Sequence, residues 1–199
     1  MALSESQLFK QLQEQPCSVL VADPQEGPDG FPYLMVSTDN KNGDNFKNIA
    51  NWCASRGIGA VINPSEEGAD YIFTYGMLWN YILRGEFLSS ATSKTTGALN
   101  IVPGQALHAG IPSEDFWPTA VRKIFKEFLL QQGVLDLKSV LLMETPDGPA
   151  DLCFSLESLG NPPQEEWEGI LEGFSWFFPR HYSLSLISEK NFKTDFMRL

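Results

Sequence analysis

Residues 137–157, LKSVLLMETPDGPADLCFSLE, hold the clearest structural signal in the chain. Two apolar runs flank the turn sequence Pro146-Asp147-Gly148-Pro149, and in the second run apolar residues alternate with Asp, Cys and Ser. Alternation of this kind beside a turn rich in Gly and Pro is typical of a β-hairpin. The stretch therefore predicts two antiparallel strands joined by a tight turn.

The segments on either side of the hairpin extend this prediction to a whole sheet. Upstream, a strand-like run over 105–109 precedes a long helix that we expect to start at Ser113 and to end near Gln132. Downstream, a helix ending at Pro179 leads into the alternating strand 182–188, YSLSLIS. The order strand, helix, strand, strand, helix, strand is typical of four antiparallel strands with two helices on one face.

The first half of the chain also mixes helices with strands. A short helix near the N-terminus, strands over 17–22 and 31–37, a helix that Gly57 ends and a helix over 75–84 follow from apolar spacing and turn residues. Between the halves, SSATSKTTG is poor in apolar residues and typical of a linker. We predict an α+β protein, with an N-terminal domain over 1–88, a linker or exposed loop over 89–97 and a C-terminal domain over 98–199. A single fused sheet is the alternative.

Composition restricts the classes of partner. The chain has 199 residues, 14 Lys and Arg against 25 Asp and Glu, and a formal net charge of −11. A nucleic-acid binder needs a basic face to neutralise phosphates, and an anionic membrane also attracts basic proteins. No apolar run approaches the roughly 20 residues of a membrane span, and the polar residues 1–16 lack the apolar core of a signal peptide. We therefore predict a cytoplasmic protein with no nucleic-acid or membrane partner.

The residues that most often carry chemistry give no catalytic pattern. Cys17, Cys53 and Cys153 are widely spaced, so we expect three buried free thiols in a reducing compartment. The histidines, His108 and His181, have no Cys, His or acidic neighbour at metal-ligand spacing. We predict no catalytic residue, no metal and no cofactor, and hence a protein that is not an enzyme.

One turn carries some features of a calcium loop. Oxygen-bearing residues occupy its first, third and fifth positions over 40–45, NKNGDN, and Asp44 is its charged member. The sixth position is Asn45 rather than Gly, and the twelfth is Asn51 rather than Glu. A turn followed by a helix cap explains the same residues without a metal.

Charge is the compositional feature that stands out. Between Ser139 and Pro179 there are eight acidic residues and no Lys or Arg, and four of the acids crowd one predicted helix: Glu165, Glu166, Glu168 and Glu172. Such a face keeps a protein soluble or docks a basic partner in a salt-sensitive manner. In the tail, Phe192 and Phe196 either pack on the body of the protein or contact a partner.

Several residues of the second half resemble the SseB-like (enhanced serine sensitivity) family. They are Gly110-Ile111-Pro112-Ser113, Pro118, Val140-Leu141-Leu142 and residues 147–152, DGPADL. The first half is similar in outline, with the strand 31–37, a helix and an apolar strand that ends in Asn63-Pro64. The resemblance implies a bacterial, cytoplasmic α+β protein of two domains, often associated with secretion or toxin systems. It implies no catalytic residues.

Three functional hypotheses follow. The first is a non-enzymatic adaptor, immunity or chaperone-like module that binds a basic protein through Glu165, Glu166, Glu168 and Glu172. The second is a small-molecule binder or enzyme with its site between the two halves. Its candidate residues are His108 and His181 as titratable groups and Trp79, Tyr81 and Trp117 as apolar walls. The third is a structural subunit whose acidic face serves solubility alone.

Overall fold

The computed structural model describes residues 4–39, 43–87, 107–144, 148–192 and 194–199. The chain divides into two compact units, Met1–Leu88 and Ser89–Leu199. The predicted linker over 89–97 lies outside the described residues. Each unit contains helices and a mixed sheet, so the α+β class predicted from the sequence is confirmed.

The first unit alternates helices with short strands. Its elements are α1 (Glu5–Glu14), β1 (Pro16–Val19), β2 (Gln25–Glu26), β3 (Pro32–Ser37), β4 (Asp44–Asn45), α2 (Phe46–Ala54), β5 (Gly59–Ile62), β6 (Tyr71–Phe73) and α3 (Tyr75–Arg84). The predicted helix over 75–84 is confirmed, and capping residues mark the ends of α1 and α3. The side chain of Ser4 caps α1, that of Thr74 caps α3, and Gly85 ends α3 in the left-handed region with φ 74°.

The sheet of the first unit has the strand order β4-β1-β3-β5-β6, with β2 on β3. β1 and β3 pair antiparallel, whereas β3 and β5 run parallel because α2 returns the chain in the same direction. Aromatic rings fill the core beneath the sheet. The ring centroids of Phe46 and Phe73 lie 5.4 Å apart, and Tyr81 stacks on Phe87 at 4.0 Å.

A glycine in β5 leaves room for the ring of Tyr33 on the neighbouring strand. Gly59 lies opposite Tyr33 in the parallel pair β3–β5. A Cβ at Gly59 would lie 2.6 Å from the Tyr33 ring and 2.7 Å from the Phe73 carbonyl oxygen. The ring therefore occupies the space that any other side chain at this position would take.

The second unit is built around the hairpin that the sequence singled out. Its elements are β7 (His108–Gly110), α4 (Thr119–Gln131), β8 (Lys138–Met143), β9 (Ala150–Ser155), α5 (Trp167–Ser175), β10 (Ser183–Ile187) and β11 (Met197–Arg198), with short 3-10 helices at Glu157–Leu159, Gln164–Glu166 and Glu189–Asn191. β8 and β9 pair antiparallel from Ser139↔Phe154 to Met143↔Ala150, which confirms the hairpin.

The predicted all-antiparallel arrangement of four strands is wrong in this unit. The order is β10-β9-β8, and β10 runs parallel to β9, from Ser183↔Asp151 to Ile187↔Ser155. The connection between these strands contains α5, and a helical crossover of this length brings the second strand back in the same direction. Two short strands share the outer edge of β8. β7 pairs with the C-terminal half of β8, and β11 pairs with the N-terminal half of β8.

The start of α4 also differs from the prediction. The helix begins at Thr119 rather than near Ser113, with Pro118 as its extended N-cap. Proline lacks the N–H that a helix interior requires, so the residues before it cannot continue the helix through this position. The Glu114 carboxylate instead accepts hydrogen bonds from the backbone N–H and the hydroxyl of Thr119, both at 2.7 Å.

The two faces of the second sheet are covered differently. On one face, α4 and α5 pack Phe125 and Phe174 around Phe154 of β9, with centroid distances of 5.0–6.0 Å. On the other face, Phe192 and Phe196 pack with Leu107 against a small apolar cluster: Val140, Leu142, Cys153 and Ile187. The tail phenylalanines thus contact the body of their own unit.

Within the described part of the chain, every helix is too short or too polar to cross a bilayer.

The Gly59 contact gives a stability test. We expect Gly59→Ala to lower the free energy of unfolding by about 2 kcal/mol, because the added methyl group displaces the Tyr33 ring. Gly169→Ala on α5 is the matched control. A Cβ there meets nothing within 4 Å, and alanine favours a helix, so stability is unchanged or slightly higher. Urea denaturation followed by circular dichroism measures both, and equal stabilities of the two variants would contradict the packing.

Candidate functional site

A groove of about 650 Å³ lies on the first unit between β1 and α2. Its walls combine strand, helix and turn residues: Cys17, Ser18, Val19, Ala22, Leu34, Gly43, Asp44, Asn48, Ile49 and Trp52. Cys17, Leu34 and Ile49 belong to the buried core, so they form an apolar floor. This volume falls within the range of known ligand sites.

The groove begins where the pairing of β4 with β1 stops. β4 pairs with β1 at Pro16↔Asn45 and Cys17↔Asp44. Gly43 makes this approach possible, because a Cβ there would lie 1.8 Å from the carbonyl oxygen of Cys17. A glycine in this position therefore brings the turn directly against the strand, and the strand continues beyond it.

Beyond β4, the backbone of β1 is paired with β3 on one side. The N–H of Leu20 donates to the carbonyl of Met35 on β3 at 2.9 Å. Bonded and non-bonded pairs alternate along antiparallel strands, so the N–H and C=O of Val19 point away from β3, toward the side of β4. On that side, the residues that directly precede Gly43 lie outside the described part of the chain.

The side chains at the end of β1 and just after it are aliphatic and exposed. Val19 is 43% exposed, Leu20 52% and Val21 45%. Neighbouring exposed aliphatic side chains are typical of a surface that contacts a partner or a ligand.

The opposite wall of the groove comes from α2. The side chain of Asn45 caps this helix by accepting a hydrogen bond from the N–H of Asn48 at 3.0 Å. Ile49 and Trp52 follow at helical spacing, and Trp52 is 36% exposed. The Arg56 guanidinium lies 4.3 Å from the centroid of the Trp52 ring, so one face of the indole already carries a cation.

The charged group of the groove is Asp44. Its Oδ1 accepts hydrogen bonds from the N–H of Asn45 at 2.7 Å and from Nδ2 of Asn48 at 2.8 Å. Its Oδ2 accepts none from the described residues, and none of their ion pairs includes Asp44.

Cys17 places a thiol in the floor of the groove. Burial raises the pKa of the Cys17 thiol to about 11, so the sulfur is protonated at neutral pH. Its weak hydrogen bond goes to the carbonyl of Gln15 at 3.9 Å. A protonated thiol is a poor nucleophile, and this cysteine contributes an apolar surface. The three cysteines are free and buried, as the sequence predicts.

A polar cluster in the second unit joins the end of β9 to the segment after β10. The Ser155 hydroxyl donates to Glu189, whose carboxylate also pairs with Lys138 at 2.8 Å. Glu157 accepts hydrogen bonds from the hydroxyl of Ser188 at 2.5 Å and from the N–H of Glu189 at 2.9 Å. Ser155 is fully buried, so this cluster fastens two chain segments and offers no accessible nucleophile.

Electrostatics within this cluster favour ionised carboxylates. Burial is the largest influence on Glu157 and raises its pKa, but the hydrogen bonds from Ser188 and Glu189 together outweigh burial and hold the pKa below its usual value. The pKa of Glu189 is lowered in the same way: the hydrogen bonds from Lys138 and Ser155 and the charge of Lys138 outweigh burial.

The acids predicted to bind a partner are exposed. Glu165 and Glu166 lie in the 3-10 helix Gln164–Glu166, and Glu168 and Glu172 lie on α5. None of them forms an ion pair with another described residue. They are distinct from the groove residues.

The residues predicted for a small-molecule site belong to both units. His108 is exposed on β7, and the ring of His181 contacts that of Tyr182 edge-on at 4.9 Å. Trp79, Tyr81 and Trp117 are buried. None of these five lines the groove or the smaller cavity of about 360 Å³ along α1.

The calcium-like turn is described only in part, since residues 40–42 lie outside the described residues. Asp44 and Asn45 form β4, and Asn45 caps α2, in agreement with a turn followed by a helix cap. Across the described ranges, no three His, Cys, Asp or Glu side chains come together in a way that would hold a metal.

Sequence reasoning missed the groove residues Val19 and Trp52. A signal was present, because residues 17–22, CSVLVA, do not alternate with polar residues. Such a run indicates a strand that is buried on both faces or whose edge contacts another segment.

No protein-family model, curated protein or solved structure matches the chain. The resemblance to SseB-like proteins stays a prediction.

The thiol in the groove gives a test of burial. We expect Cys17 to react with iodoacetamide at pH 8 about a hundredfold more slowly than a free cysteine, since its pKa of about 11 lowers the thiolate fraction by that factor. Peptide mapping by mass spectrometry follows Cys17 alone. The chain unfolded in guanidinium chloride is the control, and equal rates in the folded and unfolded chain would contradict the burial of this thiol.

The polar cluster predicts a pH-dependent stability. A carboxylate whose pKa is lowered by folding stabilises the fold above its unfolded pKa, and this contribution disappears as the pH falls through the folded value. We therefore expect the melting temperature of Glu157→Gln to lie below that of the wild type near pH 7, with a smaller difference at about pH 3. Glu165→Gln is the matched control and shows no such change. A difference for Glu157→Gln that is constant with pH would count against the cluster.

Proposed function

We propose that the chain is a non-enzymatic protein-binding module whose groove receives an extended segment of a partner. The observation that carries this proposal is the apolar groove beside the exposed aliphatic residues Val19–Val21. An extended peptide lies along a surface of this kind, with pockets for its alternate side chains providing specificity.

The geometry of the groove supports an extended occupant. Its walls include Val19 of β1 and Trp52 of α2. Alternate side chains of a bound segment would enter the space between these two residues. Leu34 and Ile49 form the floor there, so a bulky apolar side chain fits this position.

The chemistry of the groove supports binding rather than catalysis. Cys17 is protonated at neutral pH, and the side chains of Asp44 and Asn48 bond each other. A hydrolytic or transfer reaction needs a nucleophile with an adjacent base, and the lining residues do not supply this pair. Adaptor, immunity and chaperone-like roles all use binding of this kind. The free cysteines favour the reducing cytoplasm as its location.

The alternative is a small apolar ligand in the same groove. Its volume of about 650 Å³ suits a small molecule. Small-molecule sites usually also converge several polar groups on the ligand. Here Asp44 and Asn48 are the polar side chains of the helix wall, whereas the exposed residues Val19–Val21 extend the apolar surface along the strand. An elongated ligand would contact both these polar side chains and the exposed apolar surface.

The acidic residues of the second unit extend the proposal to a basic partner. Glu165, Glu166, Glu168 and Glu172 are exposed, and the whole chain carries a net charge of −11. Such a field accelerates association with basic proteins and weakens as salt is added. We propose that these acids attract the partner, while the groove holds it.

Variants of the groove test the proposal directly. Heptapeptides selected from a random display library on the full chain should bind Val19→Lys and Trp52→Ala at least tenfold more weakly than the wild type. The lysine places a charge on the apolar edge, and loss of the indole removes the aromatic anchor. Calorimetry measures the affinities, and hydrogen exchange should show protection of the Val19 amide on binding.

Leu83→Lys is the matched control, because Leu83 is 58% exposed on α3 and lies outside the groove lining. Its affinities should stay within twofold of the wild type. Selected peptides that bind all three variants equally, or a library that yields no peptide sensitive to Val19, would refute the proposal. Small apolar metabolites that raise the melting temperature and require Trp52, with no such peptide, would support the alternative.

A further inference from the structure

We infer that the first unit has a second docking surface, on the face of its sheet opposite the helices, and that this surface receives a basic amphipathic helix of a partner. The surface is separate from the groove, so the inference goes beyond the proposed function. It follows from an apolar row that crosses four strands and from acidic residues at both ends of those strands. The residues of this sheet-face row are Leu20, Met35, Val61 and Ile72.

The strand register places the four residues in one line. Met35 of β3 is the partner of Val61 of β5, and Val61 is the partner of Ile72 of β6. Leu20 follows β1, and its N–H donates to the carbonyl of Met35 at 2.9 Å, which puts Leu20 opposite Met35. Neighbouring strands lie about 4.8 Å apart, so the row is about 14 Å long.

The sheet-face row lies on the side of the sheet that faces away from the helices. The other side contributes to the buried cluster that also contains residues of α1, α2 and α3: Leu34, Val36, Ala60 and Ile62. Successive residues of a strand point to opposite faces, so Met35 and Val61 point away from that cluster. Leu20 is 52% exposed and Ile72 49%, while Met35 and Val61 between them are partly buried. Neighbouring exposed apolar side chains are typical of an interaction surface.

Acidic residues flank the row at both ends of the strands. The segment that joins β1 to β3 lies at one end, and the segment that joins β5 to β6 lies at the other end, together with Asp39 after β3. Residues 16–39 and 57–83, which include these strands and segments, contain seven acids and no Lys or Arg. The acids are exposed and form no ion pair with another described residue: Asp23, Glu26, Asp29, Asp39, Glu66, Glu67 and Asp70.

One carboxylate at each end is held in place by a hydrogen bond. Oδ2 of Asp70 accepts from Nδ2 of Asn63 at 2.8 Å, and Oδ2 of Asp29 accepts from the hydroxyl of Tyr33 at 2.5 Å. Asp70 precedes Ile72 by two residues, and two strand residues span about 7 Å. A lysine or arginine side chain that lies beside Ile72 reaches this carboxylate.

These features favour a basic helix over a second copy of the chain. A second copy would bring the same acids against the row, and like charges oppose such a contact. A helix rises 1.5 Å per residue, so about ten residues cover the length of the row. The apolar stripe of the helix would contact the row, and Lys or Arg on both sides of the stripe would reach the acids at the two strand ends.

Selection of helices on the full chain at low salt tests the inference. The probe is a display library of amphipathic helices with leucines along one stripe and with Lys, Glu or Gln at the positions on both sides of it. We expect Lys to be enriched on both sides. The best helix should bind Ile72→Lys and Leu20→Lys about tenfold more weakly than the wild type, because each variant places a charge in the row.

Leu83→Lys is the matched control, since Leu83 is 58% exposed on α3 and is not part of the row. Its affinity for the selected helix should stay within twofold of the wild type. Equal melting temperatures of the three lysine variants show that they are folded. Trp52→Ala should also stay within twofold, so a failure of the groove proposal leaves this inference standing, and the reverse holds for Ile72→Lys with the groove peptides.

Charge variants locate the electrostatic contact. The double variant Asp29→Asn, Asp70→Asn keeps an acceptor oxygen at each position but removes both charges, and it should lower the affinity about fivefold. Changing Glu165, Glu166, Glu168 and Glu172 to Gln should leave the affinity within twofold at equal ionic strength, because these acids belong to the second unit.

Four outcomes overturn the inference. They are a library that yields no helix sensitive to Ile72, selected helices without Lys enrichment, and an affinity that falls only in the quadruple Gln variant. The fourth is a dimer of this chain that dissociates in Ile72→Lys during sedimentation, because a second copy then occupies the row.

Discussion

The backbone of Gly43 runs against the carbonyl of Cys17, and the groove of the first unit depends on this contact. A Cβ at Gly43 would lie 1.8 Å from that carbonyl oxygen, so the chain approaches β1 here only because the residue is glycine. The approach fixes Asp44 beside Cys17 and starts α2 immediately afterwards. β1 and α2 thereby become neighbouring walls of the groove. The position of Asp44 relative to Val19 follows from the same register.

Local signals allowed much of the fold to be predicted. Helix ends marked by Ser4, Thr74 and Gly85 lie where capping chemistry places them, and the hairpin of residues 137–157 has the predicted pairing. The direction of β10 was not predictable in this way, because alternation shows that a segment is a strand and not which neighbour it joins. The start of α4 was misplaced because a favourable cap at Ser113 was given more weight than the missing N–H of Pro118.

The candidate site was less predictable than the fold. Asp44 was noted only as part of a turn, and Trp52 was not singled out. Their proximity to Val19 depends on pairings between residues far apart in the chain, which composition and spacing do not reveal. The four acids Glu165, Glu166, Glu168 and Glu172 were conspicuous because they lie within eight positions of one another in the sequence. A groove that combines residues of β1, α2 and a turn has no comparable pattern in the sequence.

The parallel pairing of β10 with β9 has a consequence for the order in which the second sheet assembles. In the hairpin, Leu142 meets Asp151 after nine residues, whereas Asp151 meets Ser183 only after 32. Closing the longer loop costs about 1 kcal/mol more chain entropy. We therefore expect the hairpin to form before β10 joins it. Met197 of β11 meets Ser139 of β8 only after 58 residues (197 − 139), so the same loop-length argument places this pairing after that of the hairpin.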